Sequence, residues 1–225
     1  YAARRRRSAF VVRLRRWISG WAAPATLVPL KKPRRHHLYL TNMKSDSMSD
    51  SWALIASTSS YFHNYRHAAN ALSVYHAARR LGLPDSRIVL MLASQLPCDS
   101  RNNAPASVFN SEAREEELYP ADVQVDYRGE EVSVEAFLAV LTDRLPPGTP
   151  ASRRLGSGPS SRVLVYLAGH GGEHFLKFRD EREMTSEELR AALHQASTAS
   201  CLSGLAYCQS ALPCPTPKPP MLSSP

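Results

Sequence analysis

The chain has 225 residues, 43% of them hydrophobic, which is enough to bury one substantial core, and its formal net charge is +8. Twelve of the 28 lysines and arginines lie in residues 1–44, which contain no acidic residue. From Ser45 onward 16 basic residues stand against 20 acidic ones, so the composition of the folded part argues against a nucleic-acid partner.

Three regions differ in composition along the chain. Residues 1–50 are predicted to be a basic, disordered extension, residues 51–195 one folded domain, and residues 196–225 an Ala, Ser and Pro-rich tail. A nucleic-acid binder acting through residues 4–35 stays an alternative.

No segment approaches the roughly 18 consecutive apolar residues of a membrane helix. The four cysteines show neither a Cys-x-x-Cys pair nor zinc-like histidine spacing, so we expect no metal and no cofactor.

The first half of the domain alternates between strand and helix patterns. Residues 52–56 are typical of a buried strand, and residues 68–81 repeat apolar side chains at helical spacing before a stop at Gly82 and Pro84. Residues 87–93 form a second apolar, β-branched run. Strand, helix and strand in this order indicate a parallel crossover, so the sequence predicts an α/β fold with a mostly parallel sheet and helices on both faces.

The second half continues the same alternation with longer connections. Residues 94–117 are predicted to be a loop, and residues 123–127 a small half-exposed strand. Ser133 is a predicted helix cap, residues 149–161 a flexible connection, and residues 175–178 a short ribbon. A capping box beginning at Thr185 predicts a helix through about Gln195. Residues 201–207 are the best strand candidate of the tail, although they contain glycine and serine.

One histidine occupies a position suited to catalysis. Five apolar residues, 163–167, lead into Ala-Gly-His-Gly-Gly, so His170 lies where a buried strand ends in a glycine-flanked turn. If the next parallel strand ends at Cys208, its thiol and the imidazole share one edge of the sheet. A cysteine nucleophile, a histidine acting as base and acid, and the backbone amide of Gly171 as a substrate contact would suit acyl transfer.

Several ordered motifs resemble the legumain-type cysteine peptidases. They are Asn-Tyr-Arg-His-Ala-Ala-Asn at residues 64–70, the run at residues 81–92 and Gly-His-Gly-Gly at residues 169–172. Within that family, the branch of GPI-anchor transamidase catalytic subunits is the most similar, through residues 70–75, 125–128, 140–147 and 175–178. The resemblance extends from about residue 51 to residue 195.

The resemblance implies a caspase-like fold and an enzyme of the endoplasmic-reticulum membrane, acting on the lumenal side. Such an enzyme cleaves a carboxyl-terminal attachment signal and passes the acyl group, through a cysteine thioester, to the amine of a GPI lipid. By position, His170 matches the general base and acid, and Asn64 matches the asparagine that assists it. Arg66 matches a substrate contact, and Cys98 matches a cysteine that bridges to another subunit of the transamidase complex.

Departures from the family pattern leave alternatives open. The family nucleophile stands in an Asp-Thr-Cys-Gln context, whereas Cys208 keeps only the Cys-Gln pair, so this cysteine is either the nucleophile or a tail thiol without a role. Ser57 stands in place of an aspartate. The family's later strands and membrane helix are expected to be missing through carboxyl-terminal truncation. An inactive fragment that binds partner subunits and a legumain-like asparaginyl endopeptidase are therefore the alternative functions.

Overall fold

The centre of the molecule is a five-stranded parallel sheet. The computed structural model describes residues 50–199 and 201–209, with side chains through residue 196. The sheet strands are β1 (Ser51–Ser57), β2 (Ile88–Leu92), β3 (Tyr127–Arg128), β4 (Arg162–Gly169) and β8 (Cys201–Gln209). They lie in the order β3-β2-β1-β4-β8, and every neighbouring pair is parallel. Because parallel strands end at the same edge, the residues that follow β1 and β4 come together there.

Helices cover both faces of this sheet. Helix α1 (Tyr65–Arg80) packs on β1 and β4 from one side. Helices α2 (Val134–Leu141) and α3 (Ser186–Ala199) pack on the other, where Leu54 and Ala56 join their core cluster. Successive strand residues point to opposite faces, and all four residues from Ala53 to Ala56 are 0% exposed. The predicted α/β class, with a parallel sheet between two helical layers, is confirmed.

Local sequence signals set the ends of the helices. Gly82 adopts φ +96°, and its amide donates to the carbonyl of Arg79, which stops α1 where the glycine predicts. The Ser133 hydroxyl accepts the amide hydrogen of Ala136 at the start of α2. Before α3, Thr185 and Glu188 exchange side-chain and backbone hydrogen bonds, so the predicted capping box is present.

One predicted strand is wrong in its bounds, and the strand candidate of the tail is present. The strand predicted at residues 123–127 is wrong in its bounds, because Val123 donates to Pro120 in a turn and only Tyr127–Arg128 pair with β2. Strand β8 forms despite its glycine and serine. It pairs with β4 alone among the described strands, and its register shifts between the partners of Val163 and Leu164. An irregularity of that kind tolerates Gly204, which a regular central strand would not favour.

A small antiparallel ribbon follows the sheet edge that carries His170. Its strands are β5 (Gly171–Gly172), β6 (Phe175–Phe178) and β7 (Arg182–Thr185), in the order β5-β6-β7. The ribbon predicted at residues 175–178 is therefore present. Among the described residues, no helix has both the length and the apolar character needed to cross a bilayer.

Candidate active site

His170 is fixed by its backbone at the point where β4 ends. The residue is half-buried, between β4 and β5. Its carbonyl oxygen accepts a 2.7 Å hydrogen bond from the amide of Lys177 in β6. The ribbon thus holds the main chain of His170 and leaves only the side-chain torsions to be set by neighbours.

Asn64 orients the imidazole of His170. It closes a short 3-10 turn, Phe62–Asn64, directly before α1, and it is 2% exposed. Nε2 of His170 donates to Oδ1 of Asn64 over 2.6 Å. A carbonyl oxygen can only accept, so this bond assigns the hydrogen to Nε2 and makes Nδ1 the basic nitrogen of the neutral ring.

The other end of the same amide is also informative. Nδ2 of Asn64 is buried and makes no hydrogen bond with any described residue. An asparagine retained only for packing would satisfy both ends of its amide, since a buried unpaired donor costs about 1–3 kcal/mol. The unpaired Nδ2 therefore favours a role for Asn64 in orienting His170 over a role in packing alone.

Thr58 ties the end of β4 to the ribbon. Its amide donates to the carbonyl of Ala168 over 2.8 Å, and its hydroxyl donates to the carbonyl of Lys177 over 2.7 Å. Its own carbonyl accepts from the amide of Arg179. Thr58 is 0% exposed. These bonds fix the two chain segments on either side of His170.

Gly169 is required by this packing, and its replacement is a first test. A Cβ added at Gly169 would lie 2.0 Å from the Thr58 hydroxyl oxygen. Gly169→Ala is therefore expected to lower the free energy of unfolding in urea by roughly 1–3 kcal/mol, because Thr58 must move. Gly158→Ala is the matched control, since nothing lies within 4 Å of a Cβ there. Equal stability of the two variants would contradict this account of the packing of Gly169 against Thr58.

A second histidine lies against the first. His67 is 1% exposed, and its ring stands at 81° to that of His170 with 4.9 Å between centroids. Nδ1 of His67 and the hydroxyl of Ser59 are hydrogen bonded over 2.8 Å. The sequence did not identify this contact. His67 lies three residues after Asn64, in the first turn of α1, and that spacing alone does not distinguish it from a packing histidine.

Burial lowers the pKa of His67 from 6.5 to about 4, with smaller contributions from repulsion by Arg66, His170 and His63. Between these two values the unfolded chain binds a proton that the folded chain does not. Stability is therefore expected to fall as pH drops from 6.5 towards 4, by up to about 3 kcal/mol. Urea unfolding at several pH values checks this. His67→Gln should show a smaller decrease over that range, and an unchanged decrease would count against the assignment.

Cys208 lies on the strand next to that of His170. In the register of β4 and β8, Cys208 pairs with Ala168, two residues before the histidine. The backbone thus brings the two predicted catalytic residues to the carboxyl ends of adjacent parallel strands. Side chains are described only through residue 196, so the catalytic role of Cys208 stays a prediction.

The remaining predicted site residues lie around this pair. Arg66 is exposed in the first turn of α1 and lines a cleft of about 380 Å³ between that helix and the loop around Asn110. Gly171 is half-buried in β5, and Cys98 is exposed at the end of a 3-10 turn, Leu96–Cys98. Their substrate and partner roles stay predictions.

Comparison with known proteins identifies the family. Residues 51–211 match the model of the Peptidase C13 family. GPI-anchor transamidase of Schizosaccharomyces pombe is 47% identical over 149 residues, which are 66% of this chain and 39% of that protein. The human GPI-anchor transamidase is 52% identical over 147 residues, 65% of this chain and 37% of its own length. The GPI-anchor transamidase of Saccharomyces cerevisiae is 46% identical over 160 residues, which are 71% of this chain and 38% of that protein.

The chain spans about two-fifths of the length of these curated relatives. The family match nevertheless covers the whole parallel sheet, from the first residue of β1 to beyond the last residue of β8, and it includes both His170 and Cys208. The predicted relationship to legumain-type cysteine peptidases is confirmed, and the chain belongs to the Peptidase C13 family.

Proposed function

We propose that the chain carries the catalytic region of a GPI-anchor transamidase, with Cys208 as nucleophile and His170 as base and acid. The observation that supports this most directly is the Asn64–His170 hydrogen bond, 2.6 Å long, at the carboxyl end of β4. The bond assigns the hydrogen to Nε2 and leaves Nδ1 to exchange the proton of a thiol. The backbone pairing of Cys208 with Ala168 supports the same assignment.

The proposed reaction has two halves. In the first, Nδ1 of His170 takes the thiol proton, the Cys208 thiolate attacks the substrate carbonyl, and the resulting imidazolium protonates the leaving amine of the cleaved signal peptide. The product is a thioester between Cys208 and the new carboxyl terminus. In the second half, the amine of the GPI lipid attacks the thioester, His170 accepts its proton, and the thiolate leaves. The backbone amide of Gly171 is the proposed substrate contact near the developing oxyanion.

The surroundings of the site suit an extended polypeptide substrate. Arg66 begins a cleft that continues between α1 and the loop at residues 102–114, and Asn64 stands two residues before it. We propose that the attachment-signal segment lies along this cleft, with Arg66 as a contact. The proposed acceptor is the GPI lipid rather than water, because three GPI-anchor transamidases share 46–52% identity with this region.

The experiment supplies a small amine in place of the lipid. The full chain is incubated with a peptide bearing a carboxyl-terminal signal, with and without hydrazine, and the products are identified by mass spectrometry. A transamidase forms the peptidyl hydrazide at the expense of the free acid, and Cys208→Ser abolishes both. Hydrolysis after asparagine that hydrazine does not divert would indicate an asparaginyl endopeptidase. If neither a product nor an adduct on Cys208 forms, the result would indicate an inactive fragment.

Cys98 is the proposed covalent link to another subunit of the transamidase complex in the endoplasmic-reticulum lumen. It is exposed on a short turn, and an oxidising compartment would allow a disulfide there. On a non-reducing gel of protein isolated from cells, we expect a larger species that reduction converts to the free chain and that Cys98→Ser removes. If Cys98→Ser leaves the species intact, the proposed link is wrong.

A further inference from the structure

The imidazole of His170 is contacted from two perpendicular directions. Asn64 bonds Nε2 in the plane of the ring, over 2.6 Å. The ring of His67 meets the same imidazole at an interplanar angle of 81°, with the centroids 4.9 Å apart. This is the edge-to-face arrangement that aromatic pairs prefer, and it lies within their range of favourable separations.

The two contacts restrict different motions. A single hydrogen bond to Nε2 fixes the distance of that atom from Asn64 but leaves the imidazole able to swivel about the bond. A perpendicular ring packed against it opposes that swivel by steric contact. His67 can do so only if its own ring is fixed, and its hydrogen bond to Ser59, 2.8 Å long, provides this. Both Ser59 and His67 are 1% exposed, so neither has room to rearrange.

We propose that His67 is a positioning residue whose ring, held by Ser59, sets the plane of the His170 imidazole and so directs Nδ1. Its effect on the thiol rests on the proposed function of Cys208, whereas its effect on His170 does not. Three features of the fold then hold His170 in place. The ribbon bonds its backbone carbonyl, Asn64 bonds Nε2, and the ring of His67 packs against the imidazole.

Charge is consistent with this role. A cationic neighbour 4.9 Å away would oppose formation of the His170 imidazolium that the reaction needs. Burial, with repulsion from Arg66, His170 and His63, keeps His67 neutral at physiological pH. A neutral ring supplies the steric and quadrupolar contact without competing for the thiol proton.

The test follows the ring nitrogens of His170 by NMR in the full chain labelled with ¹⁵N-histidine. In the wild type we expect one neutral tautomer of His170, protonated at Nε2. His67→Ala should convert this to an exchanging mixture of both tautomers, and His67→Phe should keep the Nε2-protonated form as the major one, because a flat ring still fills the site without the bond to Ser59. His76→Ala is the matched control. His76 also lies on α1 and bonds the carbonyl of Leu118, away from His170.

A second readout is the rate at which a peptide electrophile alkylates Cys208 at pH 7. We expect a roughly 10-fold to 100-fold decrease in His67→Ala, since small misplacements of catalytic groups cost about that much. His67→Phe and Ser59→Ala, which both lose the hydrogen bond between residues 59 and 67 but keep a flat ring, should fall between His67→Ala and the wild type. Absence of alkylation in the wild type would count against the proposed function alone, because the NMR result decides the role of His67 independently.

Two outcomes would overturn the positioning role. One is a single Nε2-protonated tautomer in His67→Ala, with a wild-type rate of alkylation and only reduced thermal stability. The other is a His67→Phe variant that loses the tautomer as fully as His67→Ala does, which would mean that the ring contact is not the cause. If His67→Ala does not fold, His67→Leu replaces it, since leucine fills the space without a flat ring.

Discussion

Replacing His170 with alanine is expected to reduce peptidyl hydrazide formation by roughly 10²–10⁴-fold, the usual contribution of a positioned general acid and base. Without the imidazole, no base is placed to take the proton of the Cys208 thiol, and a free thiol is only a few per cent ionised at pH 7. The leaving amine also loses its proton donor. Initial rates under identical peptide and hydrazine concentrations measure the effect.

The control is another histidine of the same segment. His174 is exposed, with φ +71°, and pairs only weakly with Glu173 at its surface. His174→Asn tolerates that backbone conformation, and it should leave the rate within about 2-fold of the wild type. If His170→Ala is no slower than His174→Asn, the histidine is not catalytic.

Replacing Asn64 with alanine is expected to cost about 10²-fold in the same assay while leaving the fold intact. The change removes the oxygen that holds the hydrogen on Nε2, so the ring spends part of its time protonated on Nδ1, the nitrogen the reaction needs as a base. Unfolding should change little, because the lost bond is accompanied by removal of the buried, unpaired Nδ2.

Two further variants sharpen the Asn64 prediction. Gln124→Ala, at an exposed amide side chain outside the cleft, should keep the wild-type rate. Asn64→Asp retains an acceptor for Nε2 and adds a negative charge, which favours the imidazolium over the neutral ring that must take the thiol proton, so the rate at pH 7 should fall below that of the wild type. A wild-type rate in Asn64→Ala would show that the 2.6 Å bond serves packing only.

Much of the fold follows from sequence pattern because the strands are buried on both faces. Residues 52–56 and 163–167 are continuous apolar runs of the kind that parallel sheets require, and the structure extends each run by one or two residues at each end. Glycine at position 82 and the capping box at Thr185 mark helix ends by local hydrogen bonding alone, so a single sequence was sufficient to find them.

Other features depend on contacts between distant segments. The approach of His67 to His170 joins residues more than 100 positions apart, and nothing in the spacing around His67 distinguishes it from a packing histidine. Strand β8 pairs with β4 in spite of its glycine, with a register shift next to Gly204 that the sequence does not indicate. The strand predicted at residues 123–127 was too long because the apolar alternation begins before the chain reaches β2: Val123 closes a turn onto Pro120, and pairing starts only at Tyr127.

Some predictions concern segments outside the described residues. The extension predicted at residues 1–50 falls there except for Asp50, as does most of the tail at residues 196–225, so the domain boundaries stay predictions. The catalytic hypothesis depends on one point within β8, the position of the Cys208 thiol. The backbone register places Cys208 at the strand end next to that of His170, and the Asn64–His170 hydrogen bond orients the proposed partner of its thiol.

The most direct measurement of this point is a crystal structure of the full chain with a peptide electrophile bound. We predict a covalent bond from the Cys208 sulfur to the peptide, with Nδ1 of His170 within about 3–4 Å of that sulfur. A Cys208 side chain on the opposite face of β8 from His170, with the electrophile attached to another cysteine, would contradict the account.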